Sequence, residues 1–248
     1  MNSNSKIALV TGATRGIGLE TVRQLAQAGV HTVLAGRDPA RTSSAALDFQ
    51  LDGLPVEALA LDVADSASIA AAAAELERRH GKLDILVNNA GILRDEPGRK
   101  VSEQTLQTWR ETFDTNVFGL IATTQAFLPL LHKSPAGRIV NVSSLLGSLT
   151  LHSDPSSIIH DMKIPAYNVS KSAVNAWTVQ LAYELRDSAI KVNTIHPGYV
   201  RTDMNNSGGE QRGELEVPDG ARTSVRLALI DDDGPNGGYF HLDEVLPW

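Results

Sequence analysis

Residues 6–28 read KIALVTGATRGIGLETVRQLAQA, and this stretch decides how the rest of the chain is read. A short apolar run, Ile7 to Val10, leads into a turn with glycines at 12, 16 and 18 and then into a segment of helical periodicity. Strand, glycine turn and helix in direct succession open a βα unit. Without a β-carbon the backbone at such a turn bends tightly and approaches a pyrophosphate, while the helix start offers free N–H groups and a favourable dipole. The spacing GxxxGxG departs from the general dinucleotide fingerprint GxGxxG but keeps its strand–helix context. No GK[ST] follows, so a P-loop for ATP hydrolysis is not expected.

Outward from this unit, the first half alternates β-rich runs (KIALVT, HTVLAG, VEALALD, LDILVNN) with helical stretches at 17–28, 39–51 and 66–80. The runs are nearly continuous apolar segments, as a sheet covered on both faces requires. A helix expected at 103–131, the strand RIVNVSS, a helix carrying Tyr167, the strand IKVNTIHP and a short strand at 238–241 continue the pattern. It predicts one α/β domain over residues 1–248, a doubly wound parallel sheet with helices on both faces. Two irregular segments, 145–164 and 205–218, break the rhythm after strand ends, on the side where open α/β sheets bind ligands.

Composition narrows the class. A chain of 248 residues with 42% hydrophobic and 21% charged residues is ordinary for a folded globular protein. The net charge of -7 gives no basic excess for a nucleic-acid partner. With no cysteine, disulfides and thiolate chemistry drop out. The opening MNSNSK does not read as a signal peptide, and no stretch reaches the roughly 20 apolar residues of a membrane span. A cytoplasmic location without membrane contact is the expectation.

The end of the second strand selects the cofactor. An acid there bonds the adenosine ribose, whereas an arginine accepts a 2′-phosphate. The sequence offers Gly36, Arg37 and Asp38 in turn. Asp38 stands about 20 residues past the glycine loop and competes as a ribose ligand. Arg37 is preferred, because Gly36 takes the first position beyond the strand and Asp38 before Pro39 reads as a helix cap. Arg15, inside the glycine loop, adds a second positive charge. The expected cofactor is NADP(H), held by Gly12, Thr14, Arg15, Gly16, Ile17, Gly18 and Arg37, with Asp62 and Val63 at the end of the third strand. Asp62 could reach the adenine amino group or cap the next turn.

Tyr167 and Lys171, in PAYNVSKSAV, lie four apart and so share one helix face. An ammonium roughly 5 Å from a phenolate gains about 3 kcal/mol at an effective dielectric near 20, enough to lower a phenol by roughly two pKa units. Surface neighbours at this spacing are common, so the pair gains meaning only from its companions.

Those companions are TGATRGIG at the start, Asn88-NAG after the fourth strand, Ser144 after the fifth and YNVSK on a helix. Together they resemble the short-chain dehydrogenase/reductase family over essentially the whole chain, and residues 217–240 resemble its carbonyl-reductase-like members. The resemblance implies a Rossmann-like fold and a catalytic tetrad of Asn116, Ser144, Tyr167 and Lys171. Ser144 would bond the substrate oxygen, Tyr167 would move its proton, and Lys171 would lower the tyrosine pKa and bond the nicotinamide ribose. Asn116 would interrupt its helix and hold a water leading to Lys171. Asn89, Ala90 and Gly91 would pass near the cofactor, and Pro197, Gly198, Val200 and Thr202 would close over the nicotinamide. The substrate would be a small ketone or aldehyde.

The 23 positions from Ser144 to Tyr167 exceed the interval of common family members, which leaves monomer and homodimer both open. A hydrolase built on Ser144, His160 and Asp161 lacks the GxSxG elbow. Asp231 to Asp233 read as a solvated turn before Gly234-Pro235, and no metal is expected. A silent nucleotide-binding module is the alternative, but such a protein would be expected to lose one of the four residues.

Overall fold

Ten strands alternate with eight helices in a computed structural model that describes residues 5–207 and 210–248. Residues 1–4 of the polar leader and 208–209 of the second irregular segment lie outside the described residues. The strands are β1 (Ile7–Val10), β2 (His31–Gly36), β3 (Val56–Ala60), β4 (Ile85–Asn88), β5 (Arg138–Val142), β6 (Lys191–Ile195), β7 (Asn206–Ser207), β8 (Glu210–Gln211), β9 (Tyr239–His241) and β10 (Glu244–Val245). The helices are α1 (Gly16–Gln27), α2 (Pro39–Leu51), α3 (Ser66–His80), α4 (Leu106–Phe113), α5 (Leu120–Leu131), α6 (Leu149–Ser153), α7 (Pro165–Glu184) and α8 (Val217–Ala228).

Eight strands form one sheet in the order β10-β9-β6-β5-β4-β1-β2-β3, and β7 pairs with β8 apart from it. Every pairing from β3 to β9 is parallel, and β10 alone runs antiparallel at its edge. The chain builds outward from β1 to β3, then crosses to β4 on the other side. That reversal between β1 and β4 opens the crevice in which such sheets hold ligands.

Alternation along the strands makes two cores, as the sequence expects of a doubly wound sheet. Leu9, Val33, Leu86 and Ile139 pack with Leu76 of α3, Phe127 of α5 and Leu181 of α7. Val10, Leu34, Val87 and Val140 pack with Leu25 of α1, Phe49 of α2 and Leu227 of α8.

Local departures have local causes. Gly36 is the last residue of β2 rather than the first beyond it, because its pairing with Ala60 continues the ladder. The helix expected at 103–131 is a 3-10 turn at Val101–Glu103 followed by one continuous run of α4, a π-helical stretch Asp114–Gly119 and α5. The irregular segments contain regular elements, α6 in the first and the antiparallel pair β7 and β8 in the second. Among the described residues no helix is long and apolar enough to cross a membrane.

Candidate active site

The glycine turn is fixed from the neighbouring strand. Thr11 Oγ1 accepts from the N–H groups of Asn89 and Ala90, both at 3.1 Å, and Asn89 Nδ2 donates to the carbonyls of Thr11 and Gly12. The approach is close: a β-carbon on Gly12, whose φ is +61°, would stand 2.8 Å from Ala90 Cα. At Gly18 it would meet Asn89 Nδ2 at 2.4 Å. Thr14 packs its methyl against Gly36 at the end of β2. Arg15 is the N-cap residue of α1 but caps nothing with its side chain, so the N–H groups of the first turn, from Gly16 through Ile17 and Gly18, have no intrahelical acceptor. Their chemistry fits the pyrophosphate of a dinucleotide.

At the end of β2 the two candidate cofactor ligands separate. Asp38 Oδ1 accepts from the N–H groups of Ala40 and Arg41, capping α2, and Oδ2 faces Arg41 at 3.5 Å. Arg37 is exposed and makes no hydrogen bond or ion pair with the described residues. Arg15, in contrast, pairs with Asp203 at 3.0 Å across an exposed surface, so its charge is shared with the segment opposite. Asp62 takes the capping alternative with one oxygen, accepting from Ala64 N at 3.0 Å, and Val63 beside it is buried.

The four tetrad candidates meet at the C-terminal edge of the sheet. Ser144 follows β5, Tyr167 and Lys171 lie on the first turns of α7, and Asn116 lies in the π-helical stretch; all are buried. Lys171 Nζ donates to Val142 O at 2.8 Å and stands 5.5 Å from the centre of the Tyr167 ring. A β-carbon on Gly91 would be 3.5 Å from Asn116 Oδ1 and 3.6 Å from Lys171 Nζ, so all three border one space. The adjacent serines point differently: Ser143 turns its hydroxyl to the carbonyl of Lys171, whereas Ser144 lies beside the phenol.

Burial overturns one expectation. The i, i+4 spacing predicts that Lys171 lowers the Tyr167 pKa, but desolvation pushes it up to about 12, offset only in part by Ser144. The same desolvation pushes Lys171 down to about 8. The attraction of an ammonium for a phenolate is outweighed here by the cost of removing both from water.

Asn116 is more committed than its relay role implies. Oδ1 accepts from Ile92 N at 2.8 Å, while Nδ2 donates to Ile92 O at 2.9 Å and Ser170 Oγ at 3.1 Å. One lone pair of Oδ1 is what stays free for a water. On the far side, Gly198 has φ +94°, Val200 is buried with its carbonyl taken by Asn205 Nδ2, and Thr202 faces Gly16 across the crevice. Pro197 precedes them directly after β6 and His196.

Sequence reasoning missed two contributors. Asp95 Oδ1 accepts from Ala166 N at 2.8 Å and Oδ2 from Tyr167 N at 3.0 Å, capping α7 from 72 residues away. A signal was available, since Ile164 before Pro165 is no capping residue and the helix start had to find an acceptor elsewhere. Tyr239 donates its hydroxyl to the Ser144 carbonyl and stacks on Trp248. Nothing in its local sequence marks it.

The profile of the family described as short chain dehydrogenase matches residues 6–213. Short-chain dehydrogenase/reductase 1 of Saponaria officinalis is 33% identical, with 99% of this chain and 97% of that protein covered. The (+)-neomenthol dehydrogenase of Arabidopsis thaliana is 34% identical, with 97% of each covered. Among solved structures, NADPH-bound carbonyl reductase from chicken fatty liver superposes with a TM-score of 0.85 at 28% identity, covering 98% of this chain and 99% of that one.

Proposed function

The chain belongs to the short-chain dehydrogenase/reductase family and is an oxidoreductase, and from that premise we propose that it reduces ketones or aldehydes with NADPH, with Tyr167 as proton donor. The carrying observation is the buried Tyr167–Lys171 pair beside Ser144, at the sheet edge that also holds the glycine turn.

In this reading the N–H groups at the start of α1 hold the pyrophosphate and the unpartnered Arg37 holds the 2′-phosphate. Asp38 is spent on its helix cap, which supports NADP(H) over NAD(H). When bound, the nicotinamide supplies the hydride. Ser144 orients the carbonyl oxygen, and Tyr167 gives its proton to the alkoxide that develops there.

A phenol held at about 12 at rest keeps its proton until charge appears. Lys171, held at about 8, is still largely an ammonium at neutral pH. As the phenolate forms, that ammonium offers about 3 kcal/mol at an effective dielectric near 20, an interaction strengthened in the transition state rather than the ground state. Asn116 keeps the backbone at Ile92 and the Ser170 hydroxyl in register with this pair. Apolar side chains exposed on the first irregular segment, Leu149, Ile158 and Met162, and just before the second, Tyr199 and Met204, support a substrate with an apolar body.

The test is a panel of carbonyl compounds assayed in parallel with NADPH and NADH. Tyr167→Phe is expected to lose roughly 10²–10⁴ of turnover while NADPH fluorescence titration shows binding intact; undiminished turnover sinks the mechanism. Arg37→Asp is expected to weaken NADPH about tenfold to a hundredfold and favour NADH. A wild-type enzyme that already prefers NADH overturns the 2′-phosphate assignment.

A further inference from the structure

At the end of the sheet remote from the glycine turn, three side chains distant in sequence converge. His31 is the first residue of β2, Glu57 lies in β3, and His80 closes α3. Val33 is in register with Glu57, so His31, two residues earlier, shares the face of Glu57, and α3 covers that face. His80 Nε2 is 2.7 Å from Glu57 Oε1, and His31 Nε2 is 3.6 Å from Glu57 Oε2. The rings lie 5.1 Å apart at 55°.

One atom in this cluster lacks a partner. His31 Nε2 is buried, makes no hydrogen bond, and faces the carboxylate from just beyond hydrogen-bond reach. The ligand atoms of all three residues fall within 4.8 Å of one another. Tetrahedral zinc with bonds near 2.0–2.2 Å places its ligand atoms roughly 3.3 Å apart. Glu57 and His80 need only part slightly, and His31 needs to close from within 4.8 Å, to reach that spacing.

We propose that His31, Glu57 and His80 form a three-ligand site for a divalent transition-metal ion, with a fourth position left to water. Two imidazoles and one carboxylate suit zinc and its neighbours, not magnesium or calcium. The Glu57 carboxylate is the anionic donor of the set, and the two imidazoles are its neutral donors. Arg79 is the competing cation, 3.6 Å from Glu57 Oε1. Its hydrogen bonds go instead to Ala58 O and Glu75, and His80 stands closer to the shared Oε1. The ion would tie β2, β3 and the end of α3 together without touching the catalytic edge.

Full-length protein stripped with a chelator and dialysed against ZnCl2 is expected to bind one zinc per chain and to melt several degrees higher with it. His31→Ala, His80→Ala and Glu57→Gln should each weaken binding roughly tenfold or more while NADPH binding persists. Absence of saturable uptake overturns the site. So does a His31→Ala/His80→Ala double variant that binds zinc as tightly as wild type, since the ion would then sit on other histidines such as His152 and His160. X-ray absorption on wild-type protein covers the case of variants that do not fold: two imidazole nitrogens in the zinc shell are expected, and none refutes the assignment.

Discussion

The two ends of the sheet bury charged and ionisable groups to similar depth and treat them differently. At the N-terminal end Asp84 accepts from Ile7 N and Ser134 Oγ and pairs with Lys82 at 2.8 Å. Arg138, also buried, donates to the carbonyls of Gly137, Ala189 and Ile230 and pairs with Asp232 at 2.7 Å. Asp232 is thus more than part of a solvated turn, although the Asp231–Asp233 run does stay at the surface. At the C-terminal end Lys171 has one backbone carbonyl as hydrogen-bond partner and no carboxylate among the described residues. Where compensation is complete, a buried charge holds structure; where it is partial, the cost is expressed as displaced protonation, which a proton-transfer site uses.

The sharpest way to break this comparison is Lys171→Met. Activity should fall by roughly 10²–10⁴, and stability should rise rather than fall. Between about 8 and 10.5 the unfolded chain holds a proton that folded Lys171 has given up, so wild-type stability should climb with pH across that window. Below it, the buried ammonium costs on the order of 3 kcal/mol, which the variant recovers. Urea unfolding of both proteins at neutral pH and near pH 10 reads this directly. An equal slope in the variant would assign the effect elsewhere.

Asp84→Ala tests the compensated end. It strands the Ile7 N–H and the Ser134 hydroxyl, and should cost about 3 kcal/mol of stability with turnover nearly unchanged. A large loss of turnover in a folded variant would show that the two ends are coupled.

Asp95 sharpens the contrast most finely, because its carboxylate is fully used yet serves the catalytic end. Asp95→Ala should cost about 1–2 kcal/mol as a lost helix cap. Turnover should fall roughly tenfold through misplacement of Tyr167, with NADPH affinity kept. Asp95→Asn should restore part of the turnover, since it keeps an acceptor. Loss of stability without loss of turnover would reduce Asp95 to a structural cap.

Much of this was legible because the signals are local. Strand, glycine turn and helix at 7–27, the Asp38 cap before Pro39, and helices α2 and α3 follow from periodicity and capping chemistry within a few residues. The two irregular segments are legible as irregular but not in their internal structure, because their short helices and paired strands depend on contacts outside themselves. Thr150 N, for example, donates to Trp248 O nearly a hundred residues on.

By itself the sequence determined the doubly wound parallel sheet, the glycine turn and the four positions that match the family's motifs, since hydrophobic period, turn chemistry and motif order are properties of neighbouring residues. Only the tertiary structure decided the direction of the Tyr167 and Lys171 shifts, the commitment of Asn116 to Ile92 and Ser170, the remote cap from Asp95 and the meeting of His31, Glu57 and His80. Each of these depends on how far a group is withdrawn from water and which distant partner meets it there, and spacing along the chain carries neither quantity.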